Sequence, residues 1–64
     1  MDETFQARII RLLGSGGATF QEISHVLGIQ ERALSLALGI MVNAGTIRRD
    51  ITVVPTKYYL SRAI

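Results

Sequence analysis

The fold is decided by residues 19–47, TFQEISHVLGIQERALSLALGIMVNAGTI. Thr19, followed three positions later by Glu22, forms a capping-box pattern, which predicts the start of a short helix over 19–27. Gly28 predicts the end of that helix, because glycine adopts positive φ without strain. The stretch therefore begins with a helix that is defined at both ends.

A longer helix is predicted over 30–44, directly after the glycine turn. Its apolar stripe consists of Leu34, Leu38 and Met41. Such spacing is typical of a helix that buries one face. Ile29 is expected to fill the space between the two helices, and together they indicate a helix–turn–helix.

The flanking segments complete the predicted fold. The apolar residues Phe5, Ile9, Leu12 and Leu13 share one helical face. They predict a first helix over 3–13, and a glycine-rich turn at 14–17 follows it. After the long helix, residues 46–51 and 57–61 predict two strands joined by a turn at 53–56. We expect a single, mainly α domain over residues 1–64, with three helices and a small C-terminal β-hairpin.

Composition excludes several classes of protein. The chain has 64 residues, of which 48% are hydrophobic, with no cysteine and one histidine. Disulfide scaffolds and thiolate metal sites are therefore excluded, and neither a metal nor a cofactor is expected. The longest uncharged stretch, residues 33–47, is shorter than the ~20 apolar residues of a membrane-spanning helix. The chain begins Met-Asp-Glu, which is the wrong charge for a signal peptide. No membrane partner is expected.

Charge is distributed unevenly between the two halves of the chain. Residues 1–31 hold two arginines against four carboxylates, a net charge of −2. Residues 32–64 hold Arg32, Arg48, Arg49, Lys57 and Arg62 against Asp50 alone, a net charge of +4. A basic half favours a polyanionic partner, although an ordinary solvated surface has the same composition.

The helix order and the ending resemble a known family. The residues Ala44-Gly45-Thr46-Ile47, followed by a basic hairpin that finishes Tyr58-Tyr59-Leu60, are similar to winged helix-turn-helix domains. The resemblance implies a DNA-binding protein, a transcriptional regulator whose third helix enters the major groove of double-stranded DNA. The hairpin, or wing, is then expected to reach the backbone or the minor groove. Such a regulator is expected in the cytoplasm, associated with the nucleoid, or in the nucleus if the source is eukaryotic.

Two narrower resemblances differ in how well they match. The length and apolar third helix are similar to small bacterial regulators of pilus expression and iron uptake. The Pro55 turn followed by Tyr58 or Tyr59 also resembles Zα-type Z-DNA-binding domains. Those domains carry an Asn and a Tyr on the third helix, where this chain has Ser35 and Gly39. This departure puts binding to Z-form DNA in doubt.

The resemblance assigns contact residues on two surfaces. Base contacts are expected from Gln30, Arg32 and Ser35 on the outward face of the third helix, since Arg pairs with guanine and Gln with adenine. Phosphate contacts are expected from Arg48, Arg49 and Lys57 in the hairpin, and from Thr19 and Gln21 at the start of the second helix.

The same outward face carries apolar residues, which leaves a second function open. Leu36 and Ile40, with Val42 beside them, lie where DNA-reading helices usually carry polar side chains. An exposed apolar patch is typical of an interface. The alternative function is therefore dimerisation or protein–protein interaction through this face. The apolar residues that the core does not need are expected to lie on this face of the third helix alone.

Catalysis is not expected. His25 is predicted to lie on the solvent side of the second helix, and no paired carboxylates or Ser-His-Asp arrangement accompanies it. Residues 14–17 follow a helix and lack a downstream lysine, so they are not a phosphate-binding loop. The protein is predicted to be a binding module without enzymatic activity.

Overall fold

Glycine turns divide the chain into helices, and its basic C-terminal part folds back as strands. The computed structural model describes residues 4–61. These residues form α1 (Phe5–Leu13), β1 (Ala18–Thr19), α2 (Phe20–Leu27), α3 (Glu31–Ala44), β2 (Ile47–Asp50) and β3 (Lys57–Leu60). The arrangement is mixed α/β and is compatible with a winged-helix layout. Residue 3, where the first helix was predicted to begin, and Arg62 lie outside the described residues.

Two of the helices, α1 and α2, begin where side-chain oxygens satisfy the free amides of the first turn. The Thr4 hydroxyl accepts a hydrogen bond from the Ala7 amide at 3.1 Å at the start of α1. At α2 the predicted capping box is confirmed: the Glu22 amide donates to the Thr19 hydroxyl at 3.1 Å. The Thr19 amide donates to the Glu22 carboxylate at 2.9 Å in return. Each bond satisfies an amide that the helix itself leaves unpaired.

The turn between α2 and α3 is fixed by hydrogen bonds and by burial. Gly28 adopts the predicted left-handed conformation, with φ of 65°. The Ser24 hydroxyl donates to the Ile29 carbonyl at 2.7 Å, and the Arg8 guanidinium donates to the Leu27 carbonyl at 2.6 Å. Ile29 is buried, as predicted. The chain changes direction by 119° between the two helices, within the range of about 90–120° that helix–turn–helix motifs adopt.

The sheet has one more strand than the predicted hairpin. β3 lies in the centre, with β1 and β2 on either side, and both pairings are antiparallel. Ala18 pairs with Tyr58, and Thr19 pairs with Lys57. The prediction of a two-stranded hairpin was therefore incomplete, because two residues are too short to show the alternation that marks a strand.

A close approach beside β1 explains one glycine of the predicted turn. The Tyr59 ring lies against Gly17, in the space that a Cβ atom at this position would occupy. Any other residue would force the ring or the backbone to move. Gly17 therefore allows Tyr59 to cover the outer side of the sheet.

The core lies between the helices and one face of the sheet. It contains the buried residues Ile9, Leu13, Ala18, Ile23, Ile29, Leu34, Ala37, Leu38, Met41 and Ile47. The predicted stripe of α3 thus points inward. Phe5 does not follow the prediction: it is 45% exposed, whereas Ile9, one turn later, is fully buried. Helical spacing gives the side of the helix on which a residue lies, but not where the neighbouring elements end.

Over residues 4–61, no single helix is long and apolar enough to cross a membrane. Only α2 and α3 taken together reach that length and composition, across their 119° bend. The inward residues of both helices belong to the core.

Candidate nucleic-acid interface

The outer face of α3 is exposed along its whole length. Leu34, Leu38 and Met41 turn toward the core, so the residues opposite them face solvent. The exposed residues of this face are Glu31, Arg32, Ser35, Leu36, Gly39, Ile40 and Asn43. Gln30, the residue before α3, is also exposed, and its side chain makes no capping hydrogen bond. The predicted base-contacting residues are therefore accessible.

A groove of about 330 Å³ separates one side of this face from the sheet. It is lined by Phe20, Ser35, Leu38, Gly39, Val42, Asn43, Arg49 and Tyr58. A Cβ atom at Gly39 would meet nothing within 4 Å, so the groove is open where this glycine lies. Hydroxyl, amide and guanidinium groups from both the helix and the sheet thus surround one recess.

Two polar residues of the groove, Asn43 and Tyr58, were not predicted as site residues. Asn43 lies on the side of α3 opposite the predicted inward stripe, and its amide is a base-reading group, so the signal was present. Tyr58 pairs with Arg49 across β2 and β3. Its place beside α3 depends on the strand register, which the sequence alone does not specify.

Strand alternation separates the two adjacent arginines of the hairpin. Arg49 lies on the same face of the sheet as Ile47, which is buried against the helices, and it lines the groove. Arg48 pairs with Tyr59 on the opposite face, because successive side chains of a strand alternate. Lys57 also lies on that opposite face, by the same alternation along β3. The predicted phosphate contacts therefore lie on two surfaces, and Arg49 borders both, since it also lines a recess of about 490 Å³ with Arg48, Asp50 and Tyr59.

The N-terminus of α2 is occupied by its own carboxylate. The Thr19 amide, which donates to the Glu22 carboxylate, and then the Thr19 hydroxyl beside it hold the pKa of Glu22 below its ordinary value, and Lys57 adds to this. The charged Glu22 already complements the positive end of the helix dipole. Thr19 is thus used in the cap, which weakens its predicted role as a phosphate contact. Gln21 is exposed and adjoins a recess of about 400 Å³ that Pro55 also lines.

The hairpin tip, defined here as residues 51–56, is apolar. Ile51 and Val54 are 76% and 97% exposed. Val42, by contrast, is half-buried against the core. The prediction that the hydrophobic excess is confined to the outer face of α3 was therefore wrong. Ile51 was predicted to end the first strand, but β2 ends at Asp50, which places Ile51 in the exposed tip with Val54 of the predicted turn.

Leu36 and Ile40 remain exposed on α3, at 66% and 57%. They are four residues apart and therefore lie one turn apart on the same side of the helix. Ser35, Gly39 and Val42 line the groove on the other side. The outer face of α3 is thus divided into a polar side that borders the sheet and an apolar side.

The part of the chain that the structure describes contains no cluster of His, Asp or Glu able to hold a metal ion. His25 is exposed on α2. Its place on the surface agrees with the sequence prediction.

Comparison with known proteins finds no matching family model and no matching curated protein. The likeness to winged-helix proteins therefore depends on the element order, the 119° turn and the antiparallel sheet. Function has to be inferred from the surfaces themselves.

Proposed function

We propose that this chain is a DNA-binding winged-helix protein, a transcriptional regulator that contacts duplex DNA through α3 and the β2–β3 hairpin. The observation that carries the proposal is the groove beside α3. It brings Ser35 and Asn43 on the helix together with Arg49 on the sheet. Major grooves of DNA admit a helix, and the phosphates at their edges pair with arginine.

The contact set follows from the exposed side chains. Arg32 and Gln30, at the start of α3, offer guanidinium and amide groups to base edges. Ser35, Asn43 and Tyr58 add hydrogen-bond donors around the recess, and Arg49 binds a phosphate at its rim. Leu36 offers only an apolar contact to a thymine methyl group, and Gly39 offers none. Affinity is therefore dominated by phosphate contacts, and discrimination between sequences is weak.

Arg48 and Lys57 contribute differently from Arg49. They lie on the far face of the sheet and attract DNA over a distance without forming contacts in the groove. At physiological salt the Debye length is about 8 Å, so their contribution is largely screened. This division of the basic residues makes the proposal testable by substitution of neighbouring arginines.

The test is a fluorescence anisotropy titration of the full chain with a labelled duplex of mixed sequence. The proposal predicts binding at low salt that weakens as salt is raised, with similar affinities for unrelated sequences. Absence of binding at low salt would refute it. Chemical-shift mapping with the same duplex is expected to perturb Arg32, Ser35, Asn43 and Arg49 together.

A second candidate function, self-association, is favoured by the exposure of Leu36 and Ile40. Both lie on the side of α3 that faces away from the groove, so a second copy that covers them displaces only the apolar contact of Leu36 and leaves the polar groups of the groove free to bind DNA. Dimeric regulators bind two half-sites and double their phosphate contacts. The two functions are therefore compatible.

A further inference from the structure

The strand β2 forms an edge of the sheet. β3 lies between β1 and β2, and over residues 4–61 no strand pairs with the outer side of β2. In an antiparallel ladder, every second residue of a strand turns its N–H and C=O groups away from its partner. Half of the residues of Ile47–Asp50 therefore present these groups outward, where they can pair with one more strand.

The recess of about 490 Å³ lies against this edge strand. Arg48, Arg49 and Asp50 of β2 line it together with Tyr59 of β3. Arg48 and Tyr59 are directly opposite each other in the register, on the face of the sheet that points away from α3. The Tyr59 ring is half-buried and lies against Gly17. The edge thus combines outward backbone groups with exposed cations and an aromatic ring.

The charges of the edge select its partner. Arg48 and Arg49 are both exposed, and Lys57 lies on the same face of the sheet as Arg48. The Asp50 carboxylate, which is the acidic group of the recess, accepts hydrogen bonds from the Thr52 amide, at 3.0 Å, and from the Thr52 hydroxyl. The positive charges therefore outnumber the one negative charge, which is already hydrogen-bonded.

This charge distribution excludes some partners and favours one. A second copy of β2 paired along the edge would bring arginines close to arginines, and like charges on paired strands are unfavourable. DNA offers phosphates, but it has no N–H and C=O groups spaced to complete a ladder. An extended polypeptide with carboxylate side chains supplies both the backbone groups and the opposite charge.

We propose that β2 is a docking edge for an extended acidic segment of a partner protein, which adds to the sheet as a fourth strand. Main-chain hydrogen bonds to β2 hold the segment, and its alternate side chains place carboxylates beside Arg48 and Arg49. Docking here does not require that the chain binds DNA. Because Arg49 also borders the groove beside α3, the docking edge is tested without DNA.

The experiment separates strand addition from attraction by charge alone. A fluorescein-labelled peptide of alternating glutamate and valine is titrated with the full chain, and binding is measured by anisotropy. A peptide of alternating glutamate and proline carries the same charge but lacks every second amide N–H, so it cannot complete a ladder. Arg48→Ala removes a charge from the edge. Arg11→Ala, on α1, is the control with the same change in charge.

The glutamate–valine peptide is expected to bind at low salt, about tenfold or more tightly than the glutamate–proline peptide, because several hydrogen bonds are lost with proline. Arg48→Ala weakens binding by about two- to fivefold, as expected for one exposed ion pair, and Arg11→Ala leaves it nearly unchanged. Amide hydrogen exchange in β2 slows when the glutamate–valine peptide is bound, since outward N–H groups gain partners. Circular dichroism verifies that both variants keep the fold.

Three outcomes overturn the docking edge. The first is absence of binding of the glutamate–valine peptide at low salt. The second is equal binding of the two peptides without slower exchange in β2, which reduces the edge to a basic surface that attracts any acidic chain. The third comes from chemical-shift mapping with duplex DNA: perturbation of Arg48 and Tyr59 as strong as that of Ser35 and Asn43 assigns the edge to DNA instead.

Discussion

Replacement of Arg49 by alanine tests whether the groove beside α3 binds DNA phosphate. Arg49 lies on the groove side of the sheet, opposite Tyr58 in the register. Arg48, its neighbour in sequence, lies on the far side and provides a control with the same change in charge. Both side chains are exposed, so neither substitution is expected to change the free energy of unfolding by more than about 0.5 kcal/mol.

The size of the effect follows from the number of phosphates neutralised. Each contributes about −0.9 to the slope of log affinity against log salt, so the single phosphate contact assigned to Arg49 gives about −0.9. A fourfold rise in salt then weakens wild-type binding by about 3.5-fold and leaves binding of Arg49→Ala nearly unchanged. At low salt, loss of one charge-assisted hydrogen bond of about 1.5–3 kcal/mol weakens binding by tenfold or more.

The assay is an anisotropy titration with a labelled duplex at several salt concentrations. Arg48→Ala is expected to leave the slope unchanged and to weaken binding by less than about threefold, through long-range attraction alone. Equal effects of the two substitutions would refute the division of the sheet into a DNA-facing and a far side. A wild-type slope of about −2.7, with ~0.9 from each of three cations, would mean that Arg48 and Lys57 also neutralise phosphates.

Further predictions concern packing, the helix cap and self-association. Gly17→Ala is expected to destabilise the fold by about 1–3 kcal/mol in urea denaturation because its methyl group overlaps the Tyr59 ring; the matched Gly39→Ala, in open space on a helix, should instead stabilise by about 0.5–1 kcal/mol. Because the pKa of Glu22 is lowered in the fold, its charge stabilises the protein above the pKa of the unfolded chain, and this is lost as pH falls through the folded pKa. Acid titration of Glu22→Gln should therefore show a shallower loss of stability than wild type, and identical curves would contradict the cap's contribution. If the apolar side of α3 joins two copies, Leu36→Glu converts a dimer to a monomer in sedimentation velocity; a wild-type monomer at all concentrations excludes that interface.

The helices were predictable because their ends have local causes. The Thr19 capping box and the Gly28 turn depend on residues within one turn of each other, so the sequence displays them directly. The structure places the α2 boundary within one residue of the prediction. Local signals of this kind need no knowledge of the rest of the fold.

The remaining features depend on contacts that are distant in sequence. β1 exists because Ala18 and Thr19 meet β3 about forty residues later, and nothing in a two-residue segment announces that pairing. The separation of Arg48 from Arg49 follows from which face of β2 packs on the helices. Period-two alternation predicts that they separate, but only the fold assigns Arg49 to the side of α3.

The double role of Thr19 has a consequence for how the molecule opens. This residue ends β1, paired with Lys57 of the central strand, and its hydroxyl also caps α2. Peeling β3 away from the sheet therefore disturbs the first turn of α2 as well as the hairpin. Hairpin and helix–turn–helix are expected to exchange their amide protons as one cooperative unit rather than in separate local openings. The position of the hairpin relative to the start of α2 is therefore set by this one residue, and a flexible partner has to adapt to it.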